Sequence, residues 1–494
     1  MKNSYYAYIT GRKCIQAYFV TALLILSSAL GCSQQNDSAP GDATPAANSI
    51  DFLPSFPGAE GYGAKTRGGR GGTVYVVTNL NDSGPGSLRE AVEAEDPRIV
   101  VFHVSGTIEL ESDLWIRHPC ITIAGQTAPP DGITIKGYLG IDADDVIIRY
   151  IRVRTDGRFG DGDSLNGRGN ENIILDHVST SWGIDEVLSI YVNHYVTIQN
   201  TIISEAVGDG ESHKFGGIWG DTYGTYHHNL FAHNAARNPR LTSGIQIDFR
   251  NNVLYNWEYN TVHGGHRQNP GNPDLDPTMI NVVANYYKPG PATRSAVCRI
   301  AQPMTRDGAA DLGEWWVSDN VVEGCPEETA DNWLGVEPAD GELSDLRLDE
   351  PWPVMQIAVE QSAEEAYQTV LERVGASLHR DSVDARIIEE VSTGTATYGE
   401  GGIISSPDVV GGWPELESVS EPVDTDTSGN GIPDWWLEKY GLDIHDPEVA
   451  NEDLNSTGYT TIEEYINGTD PTVFVDYTEP VNNVNTLTAD SFKP

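Results

Sequence analysis

The apolar positions of this chain fall in short alternating runs, not in long helical stripes. "DDVIIRYIRV", "ENIILDHVST", "HYVTIQNTII", "TYHHNLFAHN", "IQIDFRNNVLYN", "MINVVANYY" and "WWVSDNVVEG" each alternate a few Val, Ile or Tyr positions, and most carry an Asn or Asp near the strand end. The runs begin roughly 20 to 35 residues apart, within the range of repeat architectures. A unit this short cannot bury its own face and has to stack on its neighbours. No helical period long enough for a crossover helix separates the runs, which argues against a βαβ sheet. The pattern predicts an all-β fold, a right-handed parallel β-helix, over 56–325. Stacked Asn or Asp side chains at its turns would satisfy buried main-chain groups.

The pattern changes over 326–423. Ala366, Val370, Leu371 and Val374 recur at helical spacing and Gly375 supplies a stop, so one or two helices are expected to cap or flank the β-helix. A third pattern occupies 424–494. "DLNSTGYTTIEE" places Asp453, Asn455 and Thr457 at positions one, three and five, Gly458 at six and Glu464 at twelve. That is EF-hand spacing: alternate residues turn inward, Gly permits the bend and the last Glu closes the shell. Upstream, Asp426, Ser428, Asn430 and Asp434 with Gly431 form a second such loop, although Leu437 holds its twelfth place and Glu438 comes one late. Two such loops resemble a dockerin-like or thrombospondin-type calcium module, EF-hand-like in character.

Composition narrows the function. The chain has 494 residues, 73 acidic and 30 basic, for a net charge of −43. Nucleic-acid binding needs a basic footprint, so that partner is excluded. At the amino terminus Lys2, Arg12 and Lys13 precede an apolar run, Ala17 to Leu30, which is short for a bilayer span. It ends in "SALGC", which resembles a bacterial lipobox with Cys32 as the lipidated residue; an ordinary cleaved signal is the alternative. The expectation is a signal over 1–31, a tether over 32–55, and a cell-envelope lipoprotein or secreted protein that meets a membrane only through a lipid anchor. Of the remaining cysteines, Cys298 and Cys325 are closer in sequence than either is to Cys120, and at most one disulfide forms.

One stretch stands out against the acidity. "NAARNPRLT" sets Arg237 and Arg240 three residues apart around a proline. Together with "FPGAEGYGAKTRGGRGGTVYVVTNLNDSGPGSLREAV", "VVFHVSGTIEL", "ITIAGQTAPP" and "IILDHVSTSW", this resembles the pectate lyases of polysaccharide lyase family one over about 56–324. The resemblance implies a parallel β-helix and calcium-dependent β-elimination on a uronate polymer, pectate by default, with an anionic polysaccharide as partner and a monomeric enzyme. It implies Arg237 as the base, Arg240 and Lys214 as supporting cations, His213 as a competitor for the Lys214 role, and Ca2+ on Asp163, Asp185 and Glu186. Asp176 and His177 form the family's "DH" pair, read as structural. Two departures stand out. Ser189 occupies the place of a second acid four residues after Asp185, and Thr242 occupies the place of a further substrate-binding arginine. A glycoside hydrolase on the same fold, or a non-catalytic glycan-binding surface protein, are the alternatives; a hydrolase would need only paired carboxylates.

Overall fold

The computed structural model describes residues 51–493 apart from 159, 209–212, 267–277, 306–311, 356, 358–359, 418 and 420–423. Cys32, the signal segment and most of the tether lie outside the described residues. Among the described residues, no helix is long and apolar enough to cross a membrane.

The repeats stack as a parallel β-helix, as their spacing predicts. Its named strands pair in parallel along three ladders. One ladder runs from Gly106–Glu109 through Ile151–Arg154 and Leu230–Ala232 to Val321–Val322. A second runs from Thr73–Val77 through Glu171–Asp176 to Glu314–Ser318. The third starts at Leu114–Ile116 and passes Leu165–Arg168 to reach Arg240–Leu241, Val262–Gly265 and Ala301–Met304. Two long strands, Leu188–Gln199 and Ile218–His227, belong to both the second and third ladders. They turn the corner at a register shift between Tyr191 and His194.

Alternation explains the core. Ile121, Val146, Ile173 and Val196 are in-register partners on successive coils, and all four are fully buried. Each such side chain contributes about 1.5–3 kcal/mol by leaving water. At the corner after the second ladder, Asn200, His228, Asn251, Ala284 and Asp319 all have φ between 50° and 59°. Behind this row the main-chain N–H groups of Asn229, Asn252 and Asn285 donate to Oδ1 of Asn252, Asn285 and Asn320, each at 2.9 Å. The same side chains donate their own amides up the stack at 2.9–3.0 Å. Asn332 closes the series. This is the expected use of turn asparagines, and it satisfies groups that water cannot reach.

Two further units cover the outside. The helix Ala363–Arg373 is opened by a capping box of Ser362 and Glu365, and Ser382–Thr393 by Asp381 as N-cap. Their buried Val370, Val374, Ile387 and Val391 pack on Ile202, Leu230 and Val253 of the first ladder. The buried Arg154 donates to Asp381 at 2.9 Å and Asp384 at 2.8 Å, which ties this second helix to the coils. The acidic C-terminal region packs Ile432, Trp436, Leu437, Ile462 and Ile466 against the outer side of Ile99, Val101 and Ala124. Cys298 and Cys325 form a disulfide across 27 residues of sequence. Loop-entropy arguments assign a bridge of that span about 3.5 kcal/mol. Cys120 is buried and outside the bridge.

The asparagine stack yields a stability prediction. Asn285→Ala removes both the acceptor for Asn252 and the donor to the Phe249 carbonyl at 3.0 Å. It is expected to lower the unfolding free energy by about 2–4 kcal/mol, read as a lower denaturant midpoint at unchanged m-value. An unchanged midpoint would show that the stack contributes nothing.

Candidate active site

The site lies on the bends that lead into the third ladder. Isolated parallel bridges align Glu186 with Phe215, and Phe215 with Ala236. Neighbouring parallel strands lie about 4.8 Å apart. Register therefore stacks Asp185 and Glu186, then Lys214 and Phe215, then Arg237 on three successive coils. Asp163 enters from the coil before, where its Oδ1 accepts the Glu186 main-chain N–H at 3.0 Å.

The structure brings the three predicted acids together. Ligand oxygens of Asp163, Asp185 and Glu186 all lie within 4.8 Å of one another. Asp163 and Glu186 are buried, and Asp185 is half-exposed. Burial pushes the Asp163 carboxyl up to about 7. The charges of Asp185 and Asp161 push the same way, while the Ser189 and Asn166 side chains oppose them. Carboxylates crowded in this way are an oxygen-donor set suited to a hard divalent cation, which would relieve their repulsion. Among the described residues one other acid- or thiol-bearing group is as close, Cys298, Cys325 and Glu328, but its sulfurs are joined in the disulfide.

Arg237 adjoins the acids. Its Nη1 forms an ion pair with Glu186 Oε1, and its guanidinium lies 4.0 Å from the Phe215 ring centre. Arg237 takes φ 53°, a left-handed conformation that a non-glycine residue adopts at a cost. His213 is at the rim, 3.9 Å from Asp185 and edge-on to Phe215. Lys214 is half-buried on the same bend, with its carbonyl accepting the Ala235 N–H at 2.8 Å. Arg240 is one coil beyond Ile218, its in-register partner. The guanidinium of Arg240 donates to His266 Nε2 at 3.1 Å. The Thr242 hydroxyl donates to the His266 carbonyl at 2.9 Å.

Asp176 and His177 are elsewhere, inside the second ladder. Asp176 accepts from Arg149 at 2.8 Å and His177 at 2.7 Å, and Tyr150 stacks on the His177 ring at 4.4 Å. Their packing fits a structural role. In the C-terminal region, Asp426 gathers the main-chain N–H groups of Gly429, Asn430 and Gly431, with Ser428 alongside at 3.4 Å, while Asp434 accepts from Thr427. Asn430 turns its amide to the Asp446 carbonyl at 3.3 Å. In the second loop Asn455 and Thr457 both donate to Glu464 at 2.8 Å. Asp453 is exposed and accepts the Gly458 N–H at 3.0 Å.

Several residues of this cleft escaped the sequence reading. Asp161 lies on the turn before Asp163, across Gly162 at φ 100°, where alternation gives no signal. Asn166 follows on the outward side of the strand Leu165–Arg168, where it accepts from Tyr138 at 2.9 Å. Phe215, His263 and His266 gave no signal either. His263 is the in-register partner of Arg240. Burial, then the Arg240 charge, depresses its imidazole to about 3, which keeps it neutral.

No family model matches the chain. It is 40% identical over 438 residues to a protein of Aspergillus terreus named probable pectate lyase C, a match that spans 86% of this chain and 96% of that relative. The protein of the same name in Emericella nidulans is 40% identical over 440 residues, 86% of this chain and 95% of its own length. A solved cedar-pollen allergen, Jun a 1, aligns with TM-score 0.45 and 18% identity over 64% of this chain and 92% of that one. The full-length relatives are fungal, and that overturns the expectation of a bacterial envelope lipoprotein.

The crowded acids make a pH prediction. The folded Asp163 carboxyl titrates above its unfolded value of 3.8, so the folded state holds the proton more tightly. Stability is then fully present below about pH 4 and lost as the pH rises through 7, by up to about 4 kcal/mol if the whole shift is realised. In chelator, Asp163→Asn is expected to melt higher than the parent at pH 8, with the gap closing at pH 4. A gap independent of pH would remove Asp163 as its source.

Proposed function

This chain belongs to the pectate lyase family, and we propose that it is a polysaccharide lyase that cleaves pectate by β-elimination at the cleft of Asp163, Asp185, Glu186 and Arg237. The observation that carries this reading is the convergence of three carboxylates and an arginine in one largely buried cluster. Two carboxylates would serve hydrolysis, but the adjacent guanidinium has no role there.

Elimination breaks the C5–H bond beside a uronate carboxylate and the C4–O bond of the linkage. The C–H electrons become the C4–C5 double bond, and the departing oxygen takes up a proton. Arg237 is the proton acceptor. The ion pair with Glu186 favours the charged guanidinium, which has no lone pair, so Arg237 has to leave Glu186 and lose a proton to water before the neutral guanidine can take the C5 proton. Lys214 and Arg240 supply charge to uronate carboxylates, with His213 at the rim. Asp163, Asp185 and Glu186 would hold calcium, which when bound supplies a positive charge that stabilises the carbanion-like state.

The same reasoning extends to domain layout. The β-helix over 56–325 carries the chemistry, the region 326–423 braces it, and 424–494 is a calcium module with its tail, packed on the β-helix. Asp426, Ser428, Asn430 and Asp434 would serve its first ion, and Asp453, Asn455, Thr457 and Glu464 its second. The Cys298–Cys325 bridge fits an oxidising compartment.

The test is direct. Polygalacturonate incubated with the protein and calcium should give a product with the ultraviolet absorbance of a 4,5-unsaturated uronate, and chelator should abolish it. Arg237→Ala should lower kcat by about a thousandfold while the protein stays folded. New reducing ends without that absorbance would mean hydrolysis instead. For the C-terminal loops, calcium should raise the melting temperature of the parent, and Glu464→Gln should remove part of that rise. An identical rise in the variant would take Glu464 out of the metal shell.

A further inference from the structure

We infer that His266 is a positioning residue that holds Arg240 in place for the substrate, through a contact made by Thr242 where an arginine is expected. The inference rests on the lyase reading for the role of Arg240, and on geometry for the rest. A guanidinium can only donate hydrogen bonds. Since Arg240 Nη2 lies 3.1 Å from His266 Nε2, that nitrogen carries a lone pair and its ring proton resides on Nδ1. The ring is therefore neutral, and a neutral acceptor fixes a cation without cancelling its charge.

The chain is built to bring this ring back to the site. His266 follows the strand Val262–Gly265, whose His263 and Gly264 are in register with Arg240 and Leu241. Gly264 and Gly265 take φ of 118° and 102°. A Cβ on Gly264 would meet the Leu241 carbonyl at 2.1 Å, and one on Gly265 the Leu312 carbonyl at 2.2 Å. Only glycine permits this curl, which returns His266 over the preceding coil. There Thr242 Oγ1 lies 3.0 Å from Nε2 and 2.9 Å from the His266 carbonyl, and the Ser243 N–H bonds the same carbonyl at 3.2 Å. His266 is 2% exposed and Thr242 5%. A longer cationic side chain at 242 would occupy the space the imidazole fills. Thr242 thus exchanges one charge in the cleft for a buried support under the neighbouring charge.

A double-mutant cycle tests this. His266→Ala should raise KM for polygalacturonate by about tenfold with kcat within about twofold, since a hydrogen bond to a charged group is at stake. His266→Gln, whose amide oxygen can also accept from Arg240, should restore KM to near the parental value. In an Arg240→Ala background, His266→Ala should have no further effect on KM. Additive losses, or a Gln variant as weak as the Ala variant, would overturn the inference and leave His266 as a packing residue. If the parent forms no unsaturated product, the lyase reading fails by itself. The same cycle is then read from calorimetric binding of trigalacturonate, where coupling between Arg240 and His266 upholds the inference, and its absence or a lack of any binding overturns it.

Discussion

Everything in this molecule depends on the in-register stacking of parallel strands. In a main-chain ladder an offset of a single residue already exchanges inward and outward faces. Once Ile173 sits on Val146 and Val196 on Ile173, each later coil is fixed to within a residue. The asparagine stack enforces that register from the corner, because an Asn shifted by one position could no longer serve both the main chain and its neighbour. The same constraint assembles the cleft. Residues 163, 186, 215, the 237–240 pair and 263 come from five separate stretches of sequence, yet each lies one coil from the next.

The electrostatics follow from this rigidity. A chain at −43 repels a polyanion, but charges farther apart than about 8 Å are largely screened at physiological salt. Only the local field of the cleft matters there, and it is mixed by construction: three carboxylates on one side, Arg237 and Arg240 on the other. Elsewhere, among the described residues, buried Arg98 is held by main-chain carbonyls and the other buried arginines by acids. Arg149 is matched to Asp176, and Arg154 to Asp381 and Asp384. These pairs bind coils to corners and to the outer helices, where an unpaired charge would be strongly destabilising.

The repeat, and hence the fold, was legible because alternation of Val and Ile with turn asparagines has one economical solution, stacking. The first outer helix was legible from the spacing of Ala366, Val370 and Leu371 and the stop at Gly375; the second was legible only as a possible companion. Which face of the coils they cover was not, because an amphipathic stripe specifies burial but not a partner; Val370 could have met any apolar ladder. The acids at 163, 185 and 186 were reached through a resemblance in motif, and stacking explains why they meet. His266 was illegible for a physical reason. Its position depends on two left-handed glycines and on a neighbour twenty-four residues back, Thr242. Ser189 is the converse case: it reads as a missing ligand, whereas its hydroxyl acts on Asp163 in the opposite direction to the acids around it.

Glu186 is where these threads meet. Its carboxylate is one of three that crowd together, and it is also the partner of Arg237. Both demands fall on one buried group that is 5% exposed. A guanidinium held by a carboxylate is a poor base, and a carboxylate held by a guanidinium is a poor metal ligand. A divalent cation in the acid cluster would weaken the hold of Glu186 on Arg237, since the same oxygen lone pairs would be drawn to the higher charge. The proximity that looks like a structural salt bridge would therefore couple the state of the acid cluster to that of Arg237. Phe215 holds the guanidinium at 4.0 Å through its ring face, an attraction that does not depend on Glu186.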